Sequence, residues 1–435
     1  MASKDKGTSL SRRGFMKTTG ALGAGAFLSQ NLTSSPKTVE AQSSRIREPR
    51  TGPLQTYLTF SDDPVTTMDV NLCLQRKDAE SAMVYYDTVS RGGDKDAYTM
   101  SCKAEHYQSL LELWDRRSLF RADLRGLKPG TTYYFIAGDE KYGFGEERSF
   151  RTLPGGDAPV RFLNGGDMNV GPRAEKLLQY AGQQDADFLV IGGDLPYVNG
   201  LYFDYWKWIK WFQLQDKLLH TGGRMVPLVT AIGNHETNSF ASDDLFMRSP
   251  FYMTYFGRQN QGPESVYHSH KFGDNIALIM LDSGHLIPHA GEQAQWLEQE
   301  LEKYKDVKYK FAAYHVPLYP AYRPFDGSPS VAAREHWLPL FDKYGLTVGL
   351  EHHDHVFKRT KPLKGNQVVA EGEGTVYIGD GTFGVDPRKM DDKPLHWYNE
   401  KQSGTAHFWV IDANKDGLEL KAIDENGVEI DRFSL

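Results

Sequence analysis

The chain has 435 residues, of which 40% are hydrophobic and 25% charged, ordinary globular proportions that exclude wholesale disorder, a collagen-like fold and a multi-span membrane protein. At about 150 residues per domain, two or three domains are expected. The formal charge is −7; six of the 50 basic and two of the 57 acidic residues lie in residues 1–41, leaving 44 against 55, or −11, for the rest. Such a chain lacks the basic excess that non-specific nucleic-acid binding needs.

Residues 1–41 read as an export signal. Paired Arg12-Arg13 precede a small-residue apolar stretch, Ala21 to Leu28, that is too short to span a bilayer, and Val39-Glu40-Ala41 supplies a small-residue cleavage site. The pattern is that of a twin-arginine signal, with the mature chain beginning near Gln42. It implies the twin-arginine export machinery as a partner and a periplasmic or extracellular destination without a stable membrane anchor. The two cysteines, Cys73 and Cys102, form either one disulfide or two free thiols.

From residue 53 to residue 153, short Tyr-, Val- and Leu-rich runs such as Ser81–Tyr86 and Thr131–Ala137 alternate with Gly/Pro turns, the pattern of a β-sandwich of about 100 residues. Pro154 to Pro159 is a linker. Beyond Val160, apolar β-branched runs alternate with helical patterns near Arg173–Gln184, Tyr205–Leu219, Gln293–Tyr304 and Ala332–Tyr344, which predicts an α/β domain over 160–435. Three strands, Ala406–Ile411, Leu418–Ile423 and Val428–Phe433, close the chain. Of the 14 histidines only His106 precedes residue 161, so imidazole chemistry belongs to the second domain. Gly379 to Gly384 matches a dinucleotide-binding glycine pattern, but Pro387 and a charged stretch follow where a helix should open, so a loop is expected.

Five polar blocks follow apolar runs: Gly166-Asp167, Gly193-Asp194-Leu195-Pro196-Tyr197, Gly233-Asn234-His235-Glu236, Tyr314-His315 and His352-His353-Asp354-His355. Strand ends of open α/β sheets are where ligands bind. Oxygen and nitrogen donors without sulfur suit Fe, Mn or Zn, and seven ligands with one shared carboxylate suit two metals with open positions. No GxSxG elbow or P-loop occurs, which argues against a nucleophilic serine or a phosphoenzyme.

The ordered blocks resemble the binuclear metallophosphoesterases of the calcineurin-like superfamily, and the GDxxY form of the second block, ending at Tyr197, resembles the purple acid phosphatases. The resemblance implies a four-layer α/β/β/α metallophosphoesterase sandwich preceded by a fibronectin-type-III-like β-sandwich. It further implies Asp167, Tyr197 and His355 as ligands of a ferric ion, Asp194 as the bridge, and Asn234, His315 and His353 as ligands of a divalent ion (Fe2+, Zn2+ or Mn2+). The expected reaction is hydrolysis of a small phosphate monoester by hydroxide generated at the metals, with His235 as general acid and Glu236 orienting its neighbours. A phosphodiesterase acting on nucleotides or phospholipid headgroups is the alternative enzyme. A cell-surface binding protein with an inactive metal domain is the non-enzymatic alternative.

The sequence departs from the family pattern in two places. GHxH followed by Ala-Tyr-Glu-Arg becomes His352-His353-Asp354-His355 followed by Val356-Phe357-Lys358-Arg359, and no histidine lies between Val316 and Asp326 to serve as the second substrate contact of plant-type members. His352 either reaches the phosphate or merely replaces backbone, and Arg323 is the nearest cation for clamping a phosphate. His285, His289 and His336 are left without a role.

Overall fold

The computed structural model describes residues 52–435 apart from 75–80, 108–116, 241, 258–265 and 380. The export signal lies outside the described residues. Pro49–Leu435 form one compact unit. Among the described residues no helix is long and apolar enough to cross a membrane.

Eight strands between Gln55 and Arg151 pair antiparallel in a sandwich whose inner positions, such as Val70, Leu72, Val84, Phe120, Phe135 and Phe150, are fully buried. Buried and half-buried residues alternate along Ala82–Asp87 and the end of Ser118–Leu124, whereas Met68–Leu74 is buried throughout. Cys73 is buried and Cys102 partly so, both as free thiols.

Beyond Val160 two sheets pack face to face. In the first, Leu228–Ala231, Phe188–Gly192 and Val160–Gly165 run parallel, and the C-terminal strands His407–Ala413, Leu418–Asp424 and Glu429–Ser434 extend them antiparallel. In the second, Ile276–Met280, Tyr309–Ala313, Val348–Leu350 and Val376–Gly379 are parallel neighbours, flanked antiparallel by His268–Phe272 and Phe357–Thr360. Because the central strands are covered on both faces, they read as continuous apolar runs.

The inter-sheet core contains Phe162, Phe188, Phe311 and Trp409; the Phe162 ring stacks on Phe188 at 4.9 Å and meets Phe311 of the other sheet edge-on at 5.2 Å. Helices Pro172–Ala181 and Trp206–Leu218 cover the outside of the first sheet through Leu177, Trp208 and Trp211. Glu292–Lys303, Ser328–His336 and Leu338–Tyr344 cover the second through Leu297, Leu301, Trp337 and Phe341. The result is the expected four-layer α/β/β/α order.

One expected element differs. The single helical pattern near Ala332–Tyr344 is two helices broken at Trp337. Pro339 has no N–H for the preceding turn and its ring collides with that turn's carbonyl, so it is accepted only in the first turn of a new helix.

Candidate metal centre

Every candidate ligand follows a parallel strand at its C-terminal end. Asp167 follows Val160–Gly165, Asp194 and Tyr197 follow Phe188–Gly192, and Asn234 follows Leu228–Ala231. From the facing sheet, His315 follows Tyr309–Ala313, and His353 and His355 follow Val348–Leu350. Parallel strands put all these turns on one edge, so both sheets deliver their side chains to the same cleft.

The backbone is strained where it does so. Asp167 (φ 57°), Asp194 (54°), Tyr197 (59°), His353 (77°) and His355 (56°) all adopt left-handed conformations, which cost non-glycine residues free energy and collect at functional sites. Main-chain bonds hold the turns together: Asp167 N–H donates to Gly193 O at 3.0 Å, and His352 N–H to His315 O at 3.0 Å. Gly381 (φ 69°) lies so close that a Cβ there would stand 1.9 Å from Asp167 Oδ2. The glycine run that mimics a nucleotide motif is thus a close-approach loop against the cleft.

The side chains form two groups that share a carboxylate. Asp167, Asp194 and His355 offer donor atoms within 4.8 Å of one another, as do Asp194, His315 and His353. In the first group the Tyr197 hydroxyl lies 3.0 Å from Asp167 Oδ1 and 3.1 Å from His355 Nε2, and His355 Nε2 lies 2.9 Å from Asp167 Oδ1. In the second, His315 Nε2 is 3.2 Å from Asn234 Oδ1, 3.3 Å from Asp194 Oδ2 and 3.0 Å from His353 Nδ1. All seven predicted residues therefore converge.

The donor set fits a pair of cations. His315 Nδ1 faces Gly192 O at 2.9 Å; a carbonyl only accepts, so Nδ1 carries a proton and Nε2 points into the cluster, where it meets another imidazole nitrogen and two oxygens. The electrostatics agree. Burial disfavours a charged His315, yet the Asp194 and Asp167 carboxylates overcome it and push its pKa up to about 10. Burial, joined by the same two carboxylates, pushes the Tyr197 phenol well above its usual range. A cavity that stabilises a cation and repels a bare phenolate is poised for phenolate only when positive charge is supplied.

Around the donors, Glu236 is 2% exposed and accepts N–H bonds from Asp194 (2.7 Å), Leu195 (2.8 Å) and Gly233 (2.9 Å), tying two ligand turns together. Burial and then repulsion by Asp194 raise its pKa, against the pull of its backbone N–H bonds. His235 donates its main-chain N–H to Asp194 Oδ1 at 2.8 Å, and its ring lies over Tyr197 with centroids 4.1 Å apart. Its Nδ1 is paired with Asn199 Oδ1, which leaves Nε2, 3.8 Å from Asp194 Oδ2, to face the cleft. Asn199, a lone asparagine in a loop, carried no sequence signal.

His352 is fully buried. Its Nδ1 pairs with Tyr314 O at 2.8 Å, and its ring fills the space that Cβ atoms at Gly166 and Gly192 would occupy, 2.5 Å and 1.9 Å from those positions. A ring so placed has no surface open to a substrate. Arg323 sits at the rim, its Nη1 bonded to His353 O at 2.6 Å and to the buried carboxylate of Asp354 at 2.9 Å. Asp354, unremarked in the sequence, also accepts the main-chain N–H groups of Tyr322 and Arg323 and so clips the ligand loop to its neighbour. His285 lies beside His315, with ring centroids 5.6 Å apart, and its buried Nε2 has no hydrogen-bond partner among the described residues.

Comparison with known proteins agrees with this fold. Residues 53–152 match the purple acid phosphatase N-terminal domain, and residues 171–357 match the calcineurin-like phosphoesterase family. A probable purple acid phosphatase 20 of Arabidopsis thaliana is 26% identical over 402 residues, covering 87% of this chain and 89% of that protein. The structure of the purple acid phosphatase PPD1 from yellow lupin (Lupinus luteus) seeds superposes with a TM-score of 0.73 at 17% identity, covering 88% of this chain and 74% of that one. A PhoD structure superposes at 0.67 and 12% identity, covering 88% and 93%. The chain is a purple acid phosphatase-like enzyme of the calcineurin-like metallophosphoesterase superfamily, a phosphoric ester hydrolase of a family built around a binuclear metal centre.

Proposed function

We propose that the protein is an exported phosphate monoesterase in which Asp167, Tyr197 and His355 hold a ferric ion, Asn234, His315 and His353 hold a divalent ion, and Asp194 bridges them. The observation that carries this reading is the pair of donor groups sharing Asp194, one rich in oxygen and the other in imidazole nitrogen. Phenolate and carboxylate favour a trivalent ion, whereas amide and imidazole leave the other position to Fe2+, Zn2+ or Mn2+. When bound, the ions supply Lewis acidity toward the phosphate oxygens and lower the pKa of water in the cleft.

The chain's own groups do the rest. Glu236 fixes the turns bearing Asp194 and Asn234 through its N–H bonds. Asn199 holds His235 by Nδ1 so that Nε2 delivers a proton to the leaving alkoxide oxygen. His352 supports the Asp167 and Asp194 turns by packing beneath them, and Arg323, with one guanidinium nitrogen engaged, presents the remainder at the rim. Solvent oxygen attacks phosphorus directly, which inverts its configuration. Residues 53–153 act as the scaffold domain and 160–435 as the catalytic one.

Export rests on Arg12-Arg13 and Val39-Glu40-Ala41; sequencing the N-terminus of secreted protein, with cleavage expected before Gln42, tests it. For the metal assignment, iron-loaded enzyme should absorb visible light through phenolate-to-iron charge transfer, and Tyr197→Phe should abolish the band. Protein that is iron-loaded yet colourless in every oxidation state would refute the ferric site. Parallel assays of a monoester and a diester decide between the two esterase readings.

A further inference from the structure

Beside the cleft, two cations lie against one aromatic ring. The Arg388 guanidinium lies 4.8 Å and the Lys393 ammonium 4.5 Å from the centroid of Tyr322, whose main-chain neighbour is Arg323. Arg323 and Arg388 are fastened directly to the ligand loop. Arg323 Nη1 donates to His353 O and Arg388 N–H to His355 O at 2.9 Å, while Ala321, Val356 and Met390 form a small buried core under the Tyr322 ring. The ledge is therefore prearranged on the same backbone that carries the candidate ligands.

Its charges are poorly balanced. Asp354 neutralises only Arg323, whose Nε and Nη2 bond no acceptor among the described residues. Among the described residues Arg388 and Lys393 form no ion pair, although Asp391 and Asp392 are close in sequence, and the buried Nε of Arg388 has no hydrogen-bond partner. Two like charges held against one ring repel each other, and in a chain of net charge −7 this is a local cationic excess. An anion would relieve the repulsion; a guanidinium fork and an ammonium suit phosphate oxygens.

We infer that Arg323, Arg388, Lys393 and Tyr322 form a subsite for a second phosphoryl group, so that the preferred substrates are organic bisphosphates or polyphosphates whose scissile group sits in the metal cleft while a distal group rests on the ledge. The inference builds on the phosphomonoesterase reading above.

The test compares α,ω-alkanediol bisphosphates, from propane to hexane, with the corresponding monophosphates on the metal-loaded enzyme. Beyond the statistical factor of two, kcat/KM should favour the bisphosphate about tenfold or more at the best chain length, mainly through KM, and the preference should shrink as salt screens the ledge. The exposed substitution Lys393→Gln should lower that preference ratio, and Arg388→Gln with Lys393→Gln should nearly erase it. Equal preference in wild type, or a ratio untouched by both variants, overturns the subsite. A loss of inhibition by inorganic phosphate that matches the loss of preference also overturns it, since the ledge would then hold free phosphate rather than the distal group. Failure to hydrolyse even the monophosphates would instead count against the monoesterase reading.

Discussion

At the scale of single residues, the cleft separates groups that hold charge from groups that hold those groups. His235 is the clearest case, because one ring nitrogen is committed to Asn199 and the other is left for chemistry. A general acid contributes about 100- to 10,000-fold. His235→Asn should therefore lower kcat by that order for alkyl phosphates, and far less for 4-nitrophenyl phosphate, whose leaving group needs no proton. Equal losses on both substrates would show that the ring only packs against Tyr197. His235 was legible in the sequence because it adjoins Asn234 in a recognisable block. Asn199 was not, because its partner is 36 positions away and nothing in its own neighbourhood marks it.

At the scale of elements, the ligand loop between Val348–Leu350 and Phe357–Thr360 is clamped at its base. Glu351 and Lys358 are both fully buried and meet at 2.5 Å; Glu351 also accepts Tyr314 Oη at 2.8 Å and Leu318 N–H at 2.6 Å, and Lys358 Nζ donates to Tyr319 O at 2.5 Å. The departure from the family's usual Ala-Tyr-Glu-Arg thereby acquires a reason: Lys358 supplies the counter-charge for Glu351 across the loop. Removing one member of such a pair strands the other, at about 3–5 kcal/mol. Lys358→Met should lower unfolding stability in urea by roughly that amount, and adding Glu351→Gln should restore a large part. Additive losses in the double variant would mean that the two side chains act independently. The sequence displayed both residues but not their meeting, since their pairing depends on the turn between them.

At the scale of the whole molecule, the sandwich and the α/β layers share buried surface. Leu58, Phe60, Phe120 and Phe150 belong to the same apolar cluster as Phe162, Phe188 and Phe272, and Phe60 meets Phe188 edge-on at 6.4 Å. A cavity of about 30 Å3 at this contact is lined by Asp69, Arg121, Thr230, Tyr255 and His268 among others. Burial raises the Asp69 carboxyl to about 6, although Arg121 and the hydroxyls of Ser61 and Thr59 pull the other way. Because an unfolded aspartate titrates near about 3.9, the folded form binds the proton more tightly. The resulting stabilisation is full below the unfolded value and is lost as pH rises through about 6. Relative to Asp69→Asn, wild-type protein should therefore lose on the order of 1 kcal/mol of stability between pH 5 and pH 7. A stability difference independent of pH, measured by denaturant titration, would remove Asp69 from the account.

The sequence by itself displayed apolar runs ending in short polar blocks, which report strand ends where an α/β sheet assembles its site, and the family resemblance carried by those blocks supplied the layer order and the proposed ligand set. It also placed the longer helices, except where Pro339 divided one of them, but not the short helices Leu245–Arg248 and Pro250–Tyr255. Only the tertiary structure decided that His352 is a buried spacer over Gly166 and Gly192, that Asp354 and Asn199 position their neighbours, and that Arg388 and Lys393 meet at Tyr322. Those relations depend on distance between turns that are remote in the chain, and a linear pattern records what each turn carries without recording what it touches.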